Sequence, residues 1–352
     1  MPEPTTVATG GADSKRAETP SSARSARSWQ EKTLQVVSKY SLLLIIGVLW
    51  FFFGMANDRF ATSSNAVNIL IQMAPLLLAA LGQTFAIIVG GLDISIASNV
   101  ALSSVVSAFV SRSYGPAAGV LAGMATGALV GLVNGFLIGR FRLQPVIVTI
   151  AMLTFARGLA FQLTNGVPVT GLPFGYFNLA WGRLFGVPIP IWIGGTALLA
   201  TVVLLHRTTL GVKLYALGSN EEAARLVGMR TVFMKTAAYT IGGALAGLAA
   251  VLYTAQASSG QPTLANGLEL QTIAAAVIGG AAIGGGSGSA IGTLLGATVI
   301  AILGNGMNIA GVTPYVQQVV LGLAIILAVV WDRLQRTLSL KLSGVLFRQR
   351  RT

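Results

Sequence analysis

From Ser41 onward the chain alternates long apolar runs with short polar or basic breaks, and each run is long enough to cross a hydrocarbon layer of about 20 residues of helix. The pattern predicts helices near 40–56, 65–83, 94–111, 115–139, 145–163, 189–206, 235–256, 268–284, 288–307 and 314–331. The boundary between the second and third is the least sharply marked. Between Asn65 and Arg112 the one charged residue is Asp93, and Gly90-Gly91 predicts a broken or re-entrant segment there. Residues 1–38 carry Pro, Ser, Thr, Ala and Arg without an apolar run, so they read as a disordered tail, and 335–352 read as a basic tail. The domain reading is therefore 1–38, a membrane domain over 39–334, and 335–352. The first apolar run lacks a convincing cleavage site and reads as an uncleaved helix.

Composition agrees with this class. The 352 residues are 54% hydrophobic and 9% charged, with a mean hydropathy of +0.75, which is too apolar for a soluble enzyme of this size. The fold class is an all-α integral membrane protein of about ten transmembrane helices. The net charge of +13 would suggest nucleic acid in a soluble protein, but no basic run is joined to aromatics on a soluble domain. Its distribution is instead a topology signal. With the N terminus inside, nineteen Lys and Arg fall on interior segments and three, Arg59, Arg112 and Arg183, fall outside. Both termini are then cytoplasmic, and the basic face attracts anionic membrane lipid.

Several chemistries lack their residues. There is no cysteine and one histidine, His206, which excludes disulfides, a thiolate nucleophile and a His-pair metal site. No Gly-x-x-x-x-Gly-Lys-Ser/Thr run occurs, so the chain carries no phosphate loop of that kind. The cluster Gly279 to Gly288 reads as a tight connection between helices. No catalytic residue and no metal site are assigned.

Two acids lie at or near membrane depth, Asp93 and Glu269. Gly91-Leu92-Asp93-Ile94-Ser95 resembles Gly267-Leu268-Glu269-Leu270-Gln271, and the two stretches open oppositely directed helices. With the similar spacing of Gly127/Gly131 and Gly292/Gly296, this suggests an inverted repeat of two five-helix halves. The acids have two readings: stabilisation of helix N-termini, or a part in gating. Arg157 either snorkels to the outer interface or pairs with a buried acid.

The longest interior segment, 207–235, contains Gly218-Ser219-Asn220-Glu221-Glu222-Ala223-Ala224-Arg225-Leu226-Val227-Gly228-Met229. Ser219 or Asn220 is a good N-cap, the two glutamates occupy the first turn and Gly228 can end the helix. A polar helix of about two turns is marginal in water, so it is either a solvated linker helix or one that gains stability by docking into a partner, with the small Ala223 and Ala224 allowing close approach.

Gly90-Gly91-Leu92-Asp93-Ile94-Ser95 with Ser98, Gly131-Leu132-Val133-Asn134-Gly135, Arg157-Gly158-Leu159 and the 218–229 stretch together resemble the permease subunits of ribose-type ATP-binding-cassette importers, from about Ala66 to Trp331. Met229 and Ile96-Ala97 depart mildly from the family pattern. The resemblance implies a non-enzymatic permease in a bacterial inner membrane, paired with a second permease as a homodimer. It implies a partner ATPase that carries ATP and Mg, and an extracytoplasmic sugar-binding protein. Gly218, Asn220, Glu221, Glu222, Ala223, Ala224 and Gly228 then form a coupling helix, and Asp93, Ser95, Ser98, Asn134 and Glu269 are gating or pathway candidates. Import of a branched-chain amino acid or nucleoside, an ion-coupled carrier and a membrane scaffold are the competing readings.

Overall fold

The computed structural model describes residues 42–327 and Val330. The tails 1–38 and 335–352 lie outside the described residues. Among the described residues, thirteen helices and one small hairpin follow in order: α1 (Leu42–Ala56), α2 (Ser63–Ile88), α3 (Ile96–Tyr114), α4 (Pro116–Arg140), α5 (Pro145–Thr164), α6 (Phe174–Trp181), β1 (Arg183–Leu184), β2 (Val187–Pro188), α7 (Ile189–Arg207), α8 (Thr209–Ser219), α9 (Glu221–Leu226), α10 (Thr231–Ala257), α11 (Leu268–Ile278), α12 (Ala290–Ile309) and α13 (Pro314–Leu327). Each expected apolar segment overlaps a helix, but the segment expected over 268–284 is helical only to Ile278, where Gly279 and Gly280 end α11. Six helices are long and apolar enough to cross a membrane: α2, α4, α5, α7, α10 and α12. α1, α11 and α13 are shorter, so the number of crossings is not settled at ten. α3 has the length but carries Ser98, Asn99, Ser103, Ser104 and Ser107, all buried.

α2 is the centre of the bundle, buried along nearly its whole length. Its 26 residues give it a length of about 39 Å, and Thr62 caps it by accepting from Asn65 N–H at 3.2 Å. α4 and α10 pack most closely. Glycines recur every fourth residue along α4, at 123, 127, 131, 135 and 139, which puts them in one stripe. A Cβ at Gly127 would lie 2.7 Å from Gly247 N, one at Gly131 would strike the Tyr239 carbonyl, and one at Gly135 would lie 2.6 Å from Thr236 Cα. Without side chains in the stripe, the two backbones touch, as close helix pairs in membranes require.

Sequence reasoning placed no element between 163 and 189 and only one short helix in 207–235. The structure adds α6, the β1–β2 hairpin and α8. α6 has eight residues and cannot span a bilayer, but Tyr176 is fully buried and its hydroxyl pairs with Ser107 Oγ at 2.5 Å, pinning α6 to α3. α8 is capped by Thr208 and buries Leu214 and Leu217. A long helix, a break and three further helices follow one another twice, over α2–α5 and α10–α13, but Asp93 lies in the first break whereas Glu269 lies within α11.

Candidate functional site

The polar residues cluster at one end of α2. The chain leaves the helix after Ile88, Gly90 takes φ +80°, and α3 does not begin until Ile96, so the break expected at Gly90-Gly91 is present. Asp93 sits in it, 3% exposed. A buried carboxylate requires donors, and Asp93 Oδ1 accepts from Ser95 N–H at 2.9 Å and from Ser95 Oγ at 2.5 Å. That closes a local turn of the kind Asp favours. Asn134 of α4 donates to Ser95 Oγ at 2.8 Å, and Ser98 Oγ donates to the Ser95 carbonyl at 2.8 Å. Four of the five gating candidates are therefore in one network.

Neighbours that sequence reasoning missed complete it. The Gln83 amide donates to the Asp93 carbonyl at 2.9 Å and accepts from its N–H at 3.2 Å. Thr149 of α5 donates to the Leu92 carbonyl at 3.1 Å. Tyr239 of α10 reaches Gly91, where a Cβ would fall on its hydroxyl. The signal for Tyr239 was its size: it is the one large side chain in Thr236-Ala237-Ala238-Tyr239-Thr240-Ile241-Gly242-Gly243 besides Ile241.

Glu269 does not join this network. It occupies the first turn of α11, after Gly267 at φ +81°, half-buried, with Oε2 unpartnered and within electrostatic reach of Arg157. Arg157 itself donates to the Pro262 and Leu264 carbonyls at 2.7 and 3.0 Å, so it fastens α5 to the α10–α11 connection. Among the described residues Arg157 forms no direct ion pair with Glu269, although the two charges are within electrostatic reach.

The 218–229 segment lies beside the Asp93 break. Asn220 is the cap of α9, its Oδ1 accepting from Ala223 N–H at 2.9 Å. Gly228 at φ +80° ends the helix, with Gly228 N–H bonded to Arg225 O and Met229 N–H to Ala224 O, both at 3.0 Å. These are the paired bonds of a Schellman terminus. Glu221 and Glu222 open the first turn, and Glu221 Oε2 binds Lys235 Nζ of α10 at 2.7 Å. Ala223 is exposed, whereas Ala224 is 5% exposed and turned into the bundle core. Ala224 is thus a packing contact to the chain's own helices, and the outer face is formed by Ala223 with Leu226 and Val227, 82% and 81% exposed.

Gly218 joins the two regions. A Cβ there would fall on the Ile88 carbonyl and 2.6 Å from Gly286 N. Gly286 N–H already bonds Ile88 O at 2.9 Å, and a Cβ at Gly285 would lie 2.7 Å from Gly218 O and 2.8 Å from Gly90 Cα. The end of α8, the break after α2 and the Gly284–Gly288 connection meet backbone to backbone. Beside this junction lies a groove of about 530 Å³ lined by Gly90, Arg142, Gly218, Glu222, Arg225 and Lys235 among others. A second cleft, with Ser63, Asn68, Trp181 and Arg183, is at the opposite end of α2.

Six long apolar helices around a buried polar break mark a multi-pass membrane protein, and its relatives are transport permeases. The chain belongs to the family described as branched-chain amino acid transport system / permease component, whose model matches residues 65–329. It is similar to the ribose import permease protein RbsC of Escherichia coli (strain K12), 38% identical over 313 residues, covering 87% of this chain and 95% of the relative. RbsC of Bacillus subtilis (strain 168) is 38% identical, covering 85% and 94%, and the L-arabinose transport system permease protein AraH of Escherichia coli (strain K12) is 33% identical, covering 85% and 92%. No solved structure matches the chain.

Proposed function

We propose that this chain is the membrane subunit of an ATP-driven importer that moves a monosaccharide into the cytoplasm by alternating access. The observation that carries the reading is α9, a capped helix whose outer face presents Ala223, Leu226 and Val227 while Ala224 is buried in the core and the adjoining Gly218 of α8 is packed against the Ile88 carbonyl, at the entry to the break that holds Asp93. Exposed apolar side chains at a helix end suit docking into a partner. A push on α9 then reaches the break through packed atoms. The relatives named for ribose and arabinose support a sugar as cargo. The family's description makes a branched-chain amino acid the second reading.

In this reading α9 is the coupling helix for an ATPase subunit, which binds ATP and Mg and performs the hydrolysis. The permease supplies no catalytic residue and needs only two states with different contacts. An extracytoplasmic binding protein delivers the sugar, and a second copy of the chain completes the pathway. The end of α2 with Arg140, Arg142, Arg225 and Lys235 faces the cytoplasm, and the end with Arg59 and Arg183 faces outward, in line with the basic asymmetry.

The test is reconstitution of the chain with its ATPase and binding protein in liposomes, followed by uptake of labelled ribose, arabinose and leucine. ATP-dependent uptake of a sugar, stimulated by the loaded binding protein, is expected. Uptake without the ATPase, driven by an ion gradient, would overturn the importer reading, and uptake of leucine alone would overturn the cargo.

A further inference from the structure

Lys235 and Tyr239 are four residues apart on α10, so their side chains leave the same face of the helix. Lys235 grips α9 through Glu221 at 2.7 Å, the one ion pair among the described residues. Tyr239, 1% exposed, carries its ring to Gly91, and its phenol lies within electrostatic reach of the Asp93 carboxylate. One turn of α10 thus separates a contact with α9 from a contact with the break. Gly131 and Gly135 of α4 lie against the Tyr239 backbone and Cβ, so this turn of α10 packs on α4 with no side chain from those two positions between them.

The phenol oxygen is buried and has no hydrogen-bond partner, and neither has Asn134 Oδ1, although Asn134 Nδ2 binds Ser95. Phenylalanine would fill the same volume without burying an unpaired hydroxyl, which is costly. The hydroxyl therefore has its use in another arrangement of the same residues. Two acceptors belong to the network around it, the Asp93 carboxylate and the Asn134 carbonyl.

We propose that Tyr239 is a positioning residue that couples α9 to Asp93. Lys235 holds α9, and a displacement of α9 is carried one turn along α10, bringing the Tyr239 hydroxyl onto Asp93 or Asn134 and reshaping the break. The link is polar and specific, in addition to the backbone contact at Gly218. It rests on the importer reading, since only there does a partner move α9.

The experiment uses the reconstituted complex of this chain with its ATPase and binding protein. Tyr239→Phe keeps the ring and removes the hydroxyl. Its membrane abundance and thermal unfolding midpoint should match or exceed the wild type, because an unpaired buried group is lost. Sugar taken up per ATP hydrolysed should fall about fivefold, the factor one hydrogen bond supplies. Lys235→Met should lower the same ratio, and the double variant should fall no further than the worse single one, since both act on one link. A purely structural tyrosine would move the unfolding midpoint and leave the ratio alone. Wild-type coupling in Tyr239→Phe, or strictly multiplicative losses in the double variant, refutes this proposal alone. A wild type that shows no ATP-dependent uptake refutes the importer reading and this link with it.

Discussion

Tryptophan substitutions at the two neighbouring alanines of α9 should have opposite consequences. Ala224 is 5% exposed within the main core, its N–H bonded to Asn220 O at 3.0 Å and its carbonyl bonded to Met229 N–H at 3.0 Å. The backbone is fixed on both sides and cannot slide to admit an indole. Overpacking costs typically about 1–3 kcal/mol, and a step from methyl to indole belongs at or above the upper end. At about 1.4 kcal/mol per factor of ten, Ala224→Trp should lower the ratio of folded to unfolded chain by about a hundredfold. Ala223 is exposed, so Ala223→Trp should change stability by no more than about 0.5 kcal/mol. It should nevertheless obstruct a docked partner. Thermal unfolding of the purified chain and binding-protein-stimulated ATP hydrolysis of the complex separate the two effects. Ala224→Trp should lose the unfolding midpoint, and Ala223→Trp should keep it while losing stimulation. An unaltered midpoint in Ala224→Trp would refute the inward packing, and full stimulation in Ala223→Trp would remove the outer face of α9 from the docking surface.

Other expectations are as direct. Asp93→Asn should reduce uptake more than membrane abundance, because one acceptor for Ser95 is kept while the charge is lost; normal uptake at equal abundance would leave Asp93 with only its turn-forming role. Gly218→Val should lower folded yield measured by size-exclusion chromatography, since its Cβ meets carbonyl and amide atoms that cannot rotate away; normal yield would show that the junction opens freely. Arg157→Gln should destabilise the α10–α11 connection by about 1.5–3 kcal/mol through loss of charged hydrogen bonds, read as faster hydrogen exchange over 258–267. Because the chain has no cysteine, single cysteines at Arg183 and Glu222 report orientation cleanly. Impermeant label should reach the first from outside intact cells and leave the second untouched, and the reverse pattern would invert the topology.

The spans were legible because apolar length is a local property of the sequence. So were the break and the α9 cap: Gly90-Gly91 and Asn220 through Gly228 each place a backbone preference at the residue that needs it. α6 and α8 were not legible, since eight and eleven residues give too few turns for a periodic pattern to stand out, and Tyr176 and Leu214 are anchored by distant helices. Glu269 shared a motif with Asp93 but not its surroundings, because the similarity covers the helix entry and not the helices packed on it. The inward turn of Ala224 depends on which side of α9 meets the bundle, and two adjacent alanines carry no mark of that. Tyr239 escaped for the same reason, being 148 positions from Gly91, which it touches.

The junction of Gly218, Gly285, Gly286 and the Ile88 carbonyl is made mainly of main chain, with the Ser219 hydroxyl beside Gly286. Main-chain atoms are the same whatever side chains line a pathway elsewhere, so this joint carries no information about cargo. Substitutions that retune solute preference can accumulate without touching it, and substitutions within it have no solute to discriminate. In the importer reading a lineage can therefore exchange one passenger for another while keeping this joint intact, so that selectivity and drive would be inherited as separable traits.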